Sequence, residues 1–95
     1  MDASLTGRIK IGEEILIKEL EDEAVILNLK NESYYGLDEV GTRMWNVLTN
    51  SDSIQQAHEI LKEEYEVDSD TLLRDIGLFV KDLVENEMVT ITNNE

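Results

Sequence analysis

The segment Glu23 to Leu48, EAVILNLKNESYYGLDEVGTRMWNVL, constrains the fold more than any other part of the chain. Ala24 to Lys30 is a β-branched run, and Asn31-Glu32-Ser33 is a turn in which Asn31 is the residue best suited to a left-handed backbone. Tyr34 to Leu37 returns as a short strand, and Asp38 then caps a helix with almost no linker. Strands joined this tightly pair with their sequence neighbours. The last of them is therefore left at an edge of the sheet, beside the helix, and an open edge next to a helix is a place to capture an extended peptide.

The flanking sequence completes an α+β pattern. Upstream, Glu14 to Leu20 mixes apolar and charged residues with a partial period of two, which fits a strand. Residues 21–23 supply the turn into the second strand, so the order is a meander with Ala24–Lys30 in the middle. On that strand Val25, Leu27 and Leu29 share a face, and Ile26, Tyr34, Leu16 and Leu20 are expected on the other. Three strands cannot bury both faces under three helices, so either a bulge shifts the phase or apolar surface stays open.

Downstream, the first helix carries Val40, Met44, Trp45, Val47 and Leu48 and closes at Asn50-Ser51-Asp52. Ser53 and Gln56 have the capping-box spacing and open a second helix with Ile54, Ala57, Ile60, Leu61 and Tyr65. The third helix runs from about Thr71 to Glu85. Leu72, Leu73, Ile76, Phe79, Val80, Leu83 and Val84 form its core stripe, whereas Leu78 lies on the polar side between Asp75 and Asp82. Met88 to Thr92 either adds a terminal strand or stays extended. This order, a three-stranded antiparallel sheet followed by three helices, points to α+β with the helices on one face of the sheet. One domain spans residues 1–95, with a core at about 9–89 and flexible ends.

Charge narrows the partners. Eight Lys plus Arg against 22 Asp plus Glu give a net charge of -14, which repels phosphate backbones and anionic lipid, so neither nucleic acid nor membrane is expected as a partner. The chain has no cysteine, which removes disulfides, thiolate metal sites and thiol nucleophiles together. With no signal-peptide pattern and no span of roughly 18 apolar residues, a cytoplasmic location is expected. The search for catalytic groups is negative: the serines sit at turns and caps, and the single histidine, His58, has no second His or Cys with which to share a metal. Asp68 and Asp70 lack the spacing of a calcium loop and read as a solvated helix cap. No cofactor motif is present, and a non-enzymatic role follows.

The edge strand Tyr34-Tyr35-Gly36-Leu37 contains neither Pro nor Lys, the residues that commonly block edge pairing. Gly36 lets another backbone approach closely or simply bends the chain before the helix. Gly41, inside a helix at a cost of roughly 1 kcal/mol against Ala, is explained by close packing of helix on strand.

Together, AVILNLKNESYYGLDEVGTRMWNVL, the capped helix after it and RDIGLFVKDLVENEMV resemble the PqqD-like family. Its members are recognition elements for ribosomally made, post-translationally modified peptides. YYGLD, Gly41, Trp45 and the spacing of Asp75-Ile76, Phe79 and Leu83 are most similar to stand-alone members from lasso-peptide biosynthesis. The resemblance covers about Ile9 to Val89. It implies a winged helix-turn-helix-like fold, a three-stranded antiparallel sheet packed on three helices, and binding of a precursor leader peptide as an added strand in the cleft between the third strand and the third helix. Leader pairing would fall on Tyr34, Tyr35, Gly36 and Leu37, with side-chain contacts from Asp75, Leu78, Phe79 and Asp82. It further implies a peptide chaperone without chemistry of its own, delivering the precursor to a leader-cleaving cysteine protease. The competing reading is a winged-helix DNA-binding regulator, but a third helix in which Arg74 and Lys81 face Asp70, Asp75, Asp82 and Glu85 lacks the basic surface such a reader needs.

Overall fold

A computed structural model describes residues 7–93. The elements run β1 (Gly7–Ile11), β2 (Ile15–Leu20), β3 (Glu23–Asn28), β4 (Ser33–Leu37), α1 (Glu39–Thr49), α2 (Ile54–Glu64), α3 (Ser69–Glu85) and β5 (Val89–Asn93). The expected meander is present as an antiparallel sheet of order β2-β3-β4, followed by three helices. A second, two-stranded sheet, β1-β5, was not expected. Its first strand, GRIKI, buries Gly7 and Ile9 and exposes Arg8, Lys10 and Ile11. Met88 to Thr92 thereby resolves in favour of a strand, and pairing runs beyond the expected 9–89 core at both ends. The flexibility expected of the termini concerns residues 1–6 and 94–95, outside the described residues.

The caps follow the sequence closely. Asp38 accepts the Gly41 amide at 2.8 Å, and Ser53 accepts the Gln56 amide at 3.0 Å. Gln56 returns its oxygen to the Asp52 amide rather than to Ser53, a capping box displaced by one residue. Asp68 accepts the amides of Asp70 and Thr71 and so acts as the expected acidic cap of α3. At the other end of α3 the Glu87 amide bonds the Val84 carbonyl and the Met88 amide the Leu83 carbonyl, a Schellman motif that seats Met88 in the core. Glu87 holds the left-handed position usually given to glycine, and Glu14, Glu21 and Glu32 do the same at other turns. Each costs about 1 kcal/mol or more in backbone strain. Asn31, expected to be left-handed, is not; the strain falls on Glu32, while the Asn31 side chain accepts from the amide and hydroxyl of Ser33.

The core contains Ile9, Ile26, Trp45, Leu48, Leu61, Ile76, Val80, Leu83 and Met88, with α1 against β1, β3 and β4 and α3 against β5. The strands meet in a different relative phase from the one expected. Ala24, Ile26 and Asn28 are buried, whereas Leu29 lies past the strand and is exposed. Leu16 and Tyr34 therefore share the face of Leu27 rather than that of Ile26. No bulge is responsible. Asn28 explains the choice: its amide nitrogen donates to the Glu87 carbonyl at 2.9 Å, and its oxygen accepts from the amides of Lys30 and Asn31. Burying this polar side chain satisfies the turn and ties the sheet to the end of α3.

Two helix residues expected on the apolar stripes, Val40 and Ile60, are exposed, and Val84 is at the margin. His58 is half-buried and its Nε2 lies 3.2 Å from the Ser69 carbonyl, a link between α2 and the start of α3. No helix of the described residues is long and apolar enough to cross a membrane.

Candidate functional site

β4 pairs with β3 on one side only, so its outer backbone edge is open among the described residues. The same sheet has a second edge at β2. The two differ in their chemistry: β2, ILIKEL, carries Lys18 and Glu19, whereas β4, SYYGL, has no charge and no proline. Edge charges oppose the addition of a further strand, so β4 is the receptive edge of this sheet.

Alternation along β4 gives its residues different tasks. Tyr34 points to the outer face and is 75% exposed. Tyr35, paired with buried Ile26, turns toward the helices and is half-buried. Its ring meets Phe79 of α3 edge to face, with centroids 6.4 Å apart and planes at 68°. Its hydroxyl points to Asp82 Oδ2 at 3.4 Å, a long hydrogen bond one helical turn further along α3. Burial first, and then the Asp82 carboxylate, hold the Tyr35 phenol above the usual tyrosine range, so it remains a neutral donor. Tyr35 thus spans the gap between strand and helix.

Beside that pair runs a shallow groove of about 310 Å³, lined by Tyr35, Gly36, Leu37, Asp38, Gly41 and Phe79. Nothing lies within 4 Å of the position a Gly36 Cβ would take, so this stretch of the edge is open to an approaching backbone. Gly41 forms the far wall. A Cβ there would stand 3.3 Å from both the Asp38 carboxylate and the Leu37 side chain, which is the close helix-on-strand packing expected for this glycine. A larger residue at position 41 would press on both side chains.

Of the expected site residues, the structure gathers Tyr35, Gly36, Leu37 and Phe79 into one groove and links Asp82 to it through Tyr35. Leu37 is buried, which leaves it only a backbone role. Asp75 and Leu78 are exposed on α3 and do not line the groove. Asp38 was read only as a helix cap, yet its place next to the YYGL edge puts it, and the first turn of α1, in the groove wall. A second cleft, near the β2 edge, is lined by Glu19, Glu21, Asp22 and Glu39 with Arg43, whose guanidinium is paired with Glu64. It presents carboxylates rather than an uncharged edge. Among the described residues no cluster of His, Cys, Asp and Glu is arranged to hold a metal ion.

Residues 23–89 match the family described as coenzyme PQQ synthesis protein D (PqqD). The chain belongs to the PqqD family. Two solved structures resemble this PqqD-family protein over most of its length. One, TbiB1 in complex with the TbiA(beta) leader peptide, is 32% identical, with a TM-score of 0.79, over 84% of this chain and 93% of that one. The other, a lasso peptide synthetase B1 complexed with the leader peptide, is 25% identical, with a TM-score of 0.79, over 87% of this chain and 98% of that one. No curated protein matches the chain. The similarity to recognition elements of lasso-peptide biosynthesis, seen in the sequence, therefore extends to the fold.

Proposed function

We propose that this PqqD-family protein is a non-catalytic recognition element for the leader peptide of a ribosomally made, modified peptide of the lasso class. The leader adds as an antiparallel strand to β4, with Tyr34, Tyr35, Gly36 and Leu37 supplying the backbone, and its inward side chains rest on Phe79 and beside Asp82. Asp75 and Leu78, further out on α3, meet the guest's longer side chains, with Asp75 suited to a basic or polar group. The bound leader is then presented to a leader-cleaving cysteine protease. The observation that carries this reading is an uncharged open edge next to the half-buried Tyr35–Phe79 pair. It is supported by two similar structures, each of a protein in complex with a leader peptide.

Strand addition draws affinity from main-chain hydrogen bonds and specificity from side-chain pockets. Micromolar binding requires about -8 kcal/mol, within reach of strand pairing plus two or three apolar anchors after ordering costs. Titration of the precursor leader, fluorescently labelled, with purified protein is expected to give saturable anisotropy at micromolar concentration or below. A flat titration at high micromolar protein would remove the proposal.

A further inference from the structure

The cleft near β2 and the groove beside β4 meet across the β4–α1 junction, where Asp38 lines the groove and its neighbour Glu39 lines the cleft. Glu19, Ala24 and Leu37 form one row across the three strands. Ala24 and Leu37 are buried beneath the helices, so Glu19 lies on the helix side of the sheet and Lys18 on the other. With Glu21 and Asp22 from the β2–β3 turn, four carboxylates surround a space of about 300 Å³.

The charge of this cleft is negative after its neighbours are counted. Arg43 is the sole cation among the lining residues, and Glu64 already matches it through two hydrogen bonds. The Tyr65 phenol, also in the lining, is held above the usual tyrosine range by burial first and then by Glu64, with Glu39 and Asp38 adding and Arg43 opposing. The positive end of α1 is worth about half a charge. Asp38 and Glu39 beside it outweigh that.

A second feature points to an occupant. Thr42, 8% exposed, lines the cleft, and its hydroxyl oxygen is buried without a hydrogen-bond partner. A hydroxyl left unpaired in this way is costly, and an N–H donor would satisfy it. An ammonium or guanidinium group brings such donors together with the charge that the carboxylates need, and Tyr65 adds an aromatic neighbour suited to a cation. A metal ion suits the cleft less well, because among the described residues no acidic cluster is arranged to hold one.

Chain direction names the carrier of that group. A guest antiparallel to β4 enters beside Leu37 and leaves beside Ser33, so the residues N-terminal to its paired stretch emerge at the acidic end. From the guest's position to β2 is three strand spacings, roughly 15 Å. About five extended residues cover it.

We infer that the cleft receives a Lys or Arg side chain of the leader, placed about four to six residues N-terminal to the part that pairs with β4. The inference rests on the strand-addition reading. Backbone pairing at an uncharged edge specifies neither direction nor register strongly. A basic group held at one end of the sheet sets both.

The test uses the fluorescently labelled precursor leader in three forms: intact, without its N-terminal flank, and intact with the Lys and Arg residues of that flank replaced by Gln. Each is titrated by anisotropy, at low and high salt, into wild type, Glu19→Gln/Asp22→Asn and Thr42→Val, none of which alters a residue lining the groove. Wild type is expected to bind the intact leader about tenfold more tightly than the other two forms, with the difference shrinking in high salt. Both variants are expected to lose most of that difference while binding the shortened leader as wild type does. Thr42→Val is also expected to melt no lower than wild type, since it removes an unpaired hydroxyl.

Equal affinity of wild type for all three forms, or a flank without Lys or Arg, overturns the inference and leaves strand addition standing. Variants that weaken intact and shortened leader alike overturn it too, because the residues would then be structural. Saturable calcium or magnesium binding in calorimetry, lost in Glu19→Gln/Asp22→Asn, would give the cleft to a metal ion instead. Failure of wild type to bind any form removes the strand-addition reading and this inference with it.

Discussion

Replacing Phe79 with alanine separates the groove from the core, because this ring belongs partly to both. A fully buried phenylalanine costs about 3–5 kcal/mol when truncated. Phe79 is half-buried at the margin of the core, and its edge-to-face contact with Tyr35 adds about 0.5–1.5 kcal/mol. A loss of about 2–3 kcal/mol is therefore expected. At about 0.05–0.15 kcal/mol per residue, a chain of 95 residues has roughly 5–14 kcal/mol of stability, so the variant remains folded. Its melting temperature is expected to drop by roughly 10–20 °C. Binding responds differently, since losing the apolar floor beneath one guest side chain removes about 1.5–2 kcal/mol and weakens Kd by about ten- to thirtyfold.

The control is Leu83→Ala, which empties a fully buried position on the same helix outside the groove. It is expected to cost as much stability or more while leaving Kd unchanged at temperatures where the variant is folded. Circular dichroism melts and leader titration by anisotropy, both below the transition, provide the two readouts. A folded Phe79→Ala protein with wild-type affinity would refute the placement of the guest on α3. An unfolded one at 25 °C would refute the reading of Phe79 as a marginal core residue.

Gly36→Lys puts a charge into the open edge at a position with free space around it, so the melting temperature is expected to stay within a few degrees while leader affinity falls by about tenfold; unchanged affinity would argue against strand pairing at β4. Asn28→Ala leaves the Glu87 carbonyl and two turn amides without their partner, and a loss of about 2–3 kcal/mol in urea unfolding is expected. Tyr35 has a folded pKa above its unfolded value of about 10. The stability it contributes is therefore complete below that value and lost as pH rises through the folded pKa. Urea midpoints across the alkaline range should fall for wild type, with a smaller fall for Tyr35→Phe; parallel curves would mean that the Asp82 contact has no energetic role.

The elements that were legible in the sequence were those fixed by local chemistry. Asp38, Ser53 and Asp68 announce helix starts because a short polar side chain at such a point has few other uses. The uncharged edge was equally readable, since SYYGL follows a turn and abuts a helix cap. β1 was missed because its partner, β5, lies at the opposite end of the chain and local pattern does not reveal distant pairing. The groove wall at Asp38 was missed for the opposite reason: its local role as a cap was sufficient to explain it.

The β3 phase shows where hydropathy alone misleads. AVILNLK is apolar on both faces, and counting carbons favours burying Val25, Leu27 and Leu29. The fold instead buries Ala24, Ile26 and Asn28. Two requirements outweigh the carbon count. Small Ala24 occupies a buried site in the layer where α1 packs on β3, and the Asn28 amide satisfies backbone groups from both the β3–β4 turn and the end of α3. An unsatisfied buried carbonyl or amide costs about 1–3 kcal/mol, comparable with the gain from burying one more leucine. The larger side chains are thereby directed outward, where Leu27 stands between Leu16 and Tyr34. The same choice that anchors the sheet to α3 leaves its other face apolar and turns Tyr35 rather than Tyr34 toward Phe79. Swapping the phase would turn Tyr35 away from Phe79 and put Tyr34 in its place, so the Asn28 anchor of the sheet and the aromatic wall of the groove share one structural cause.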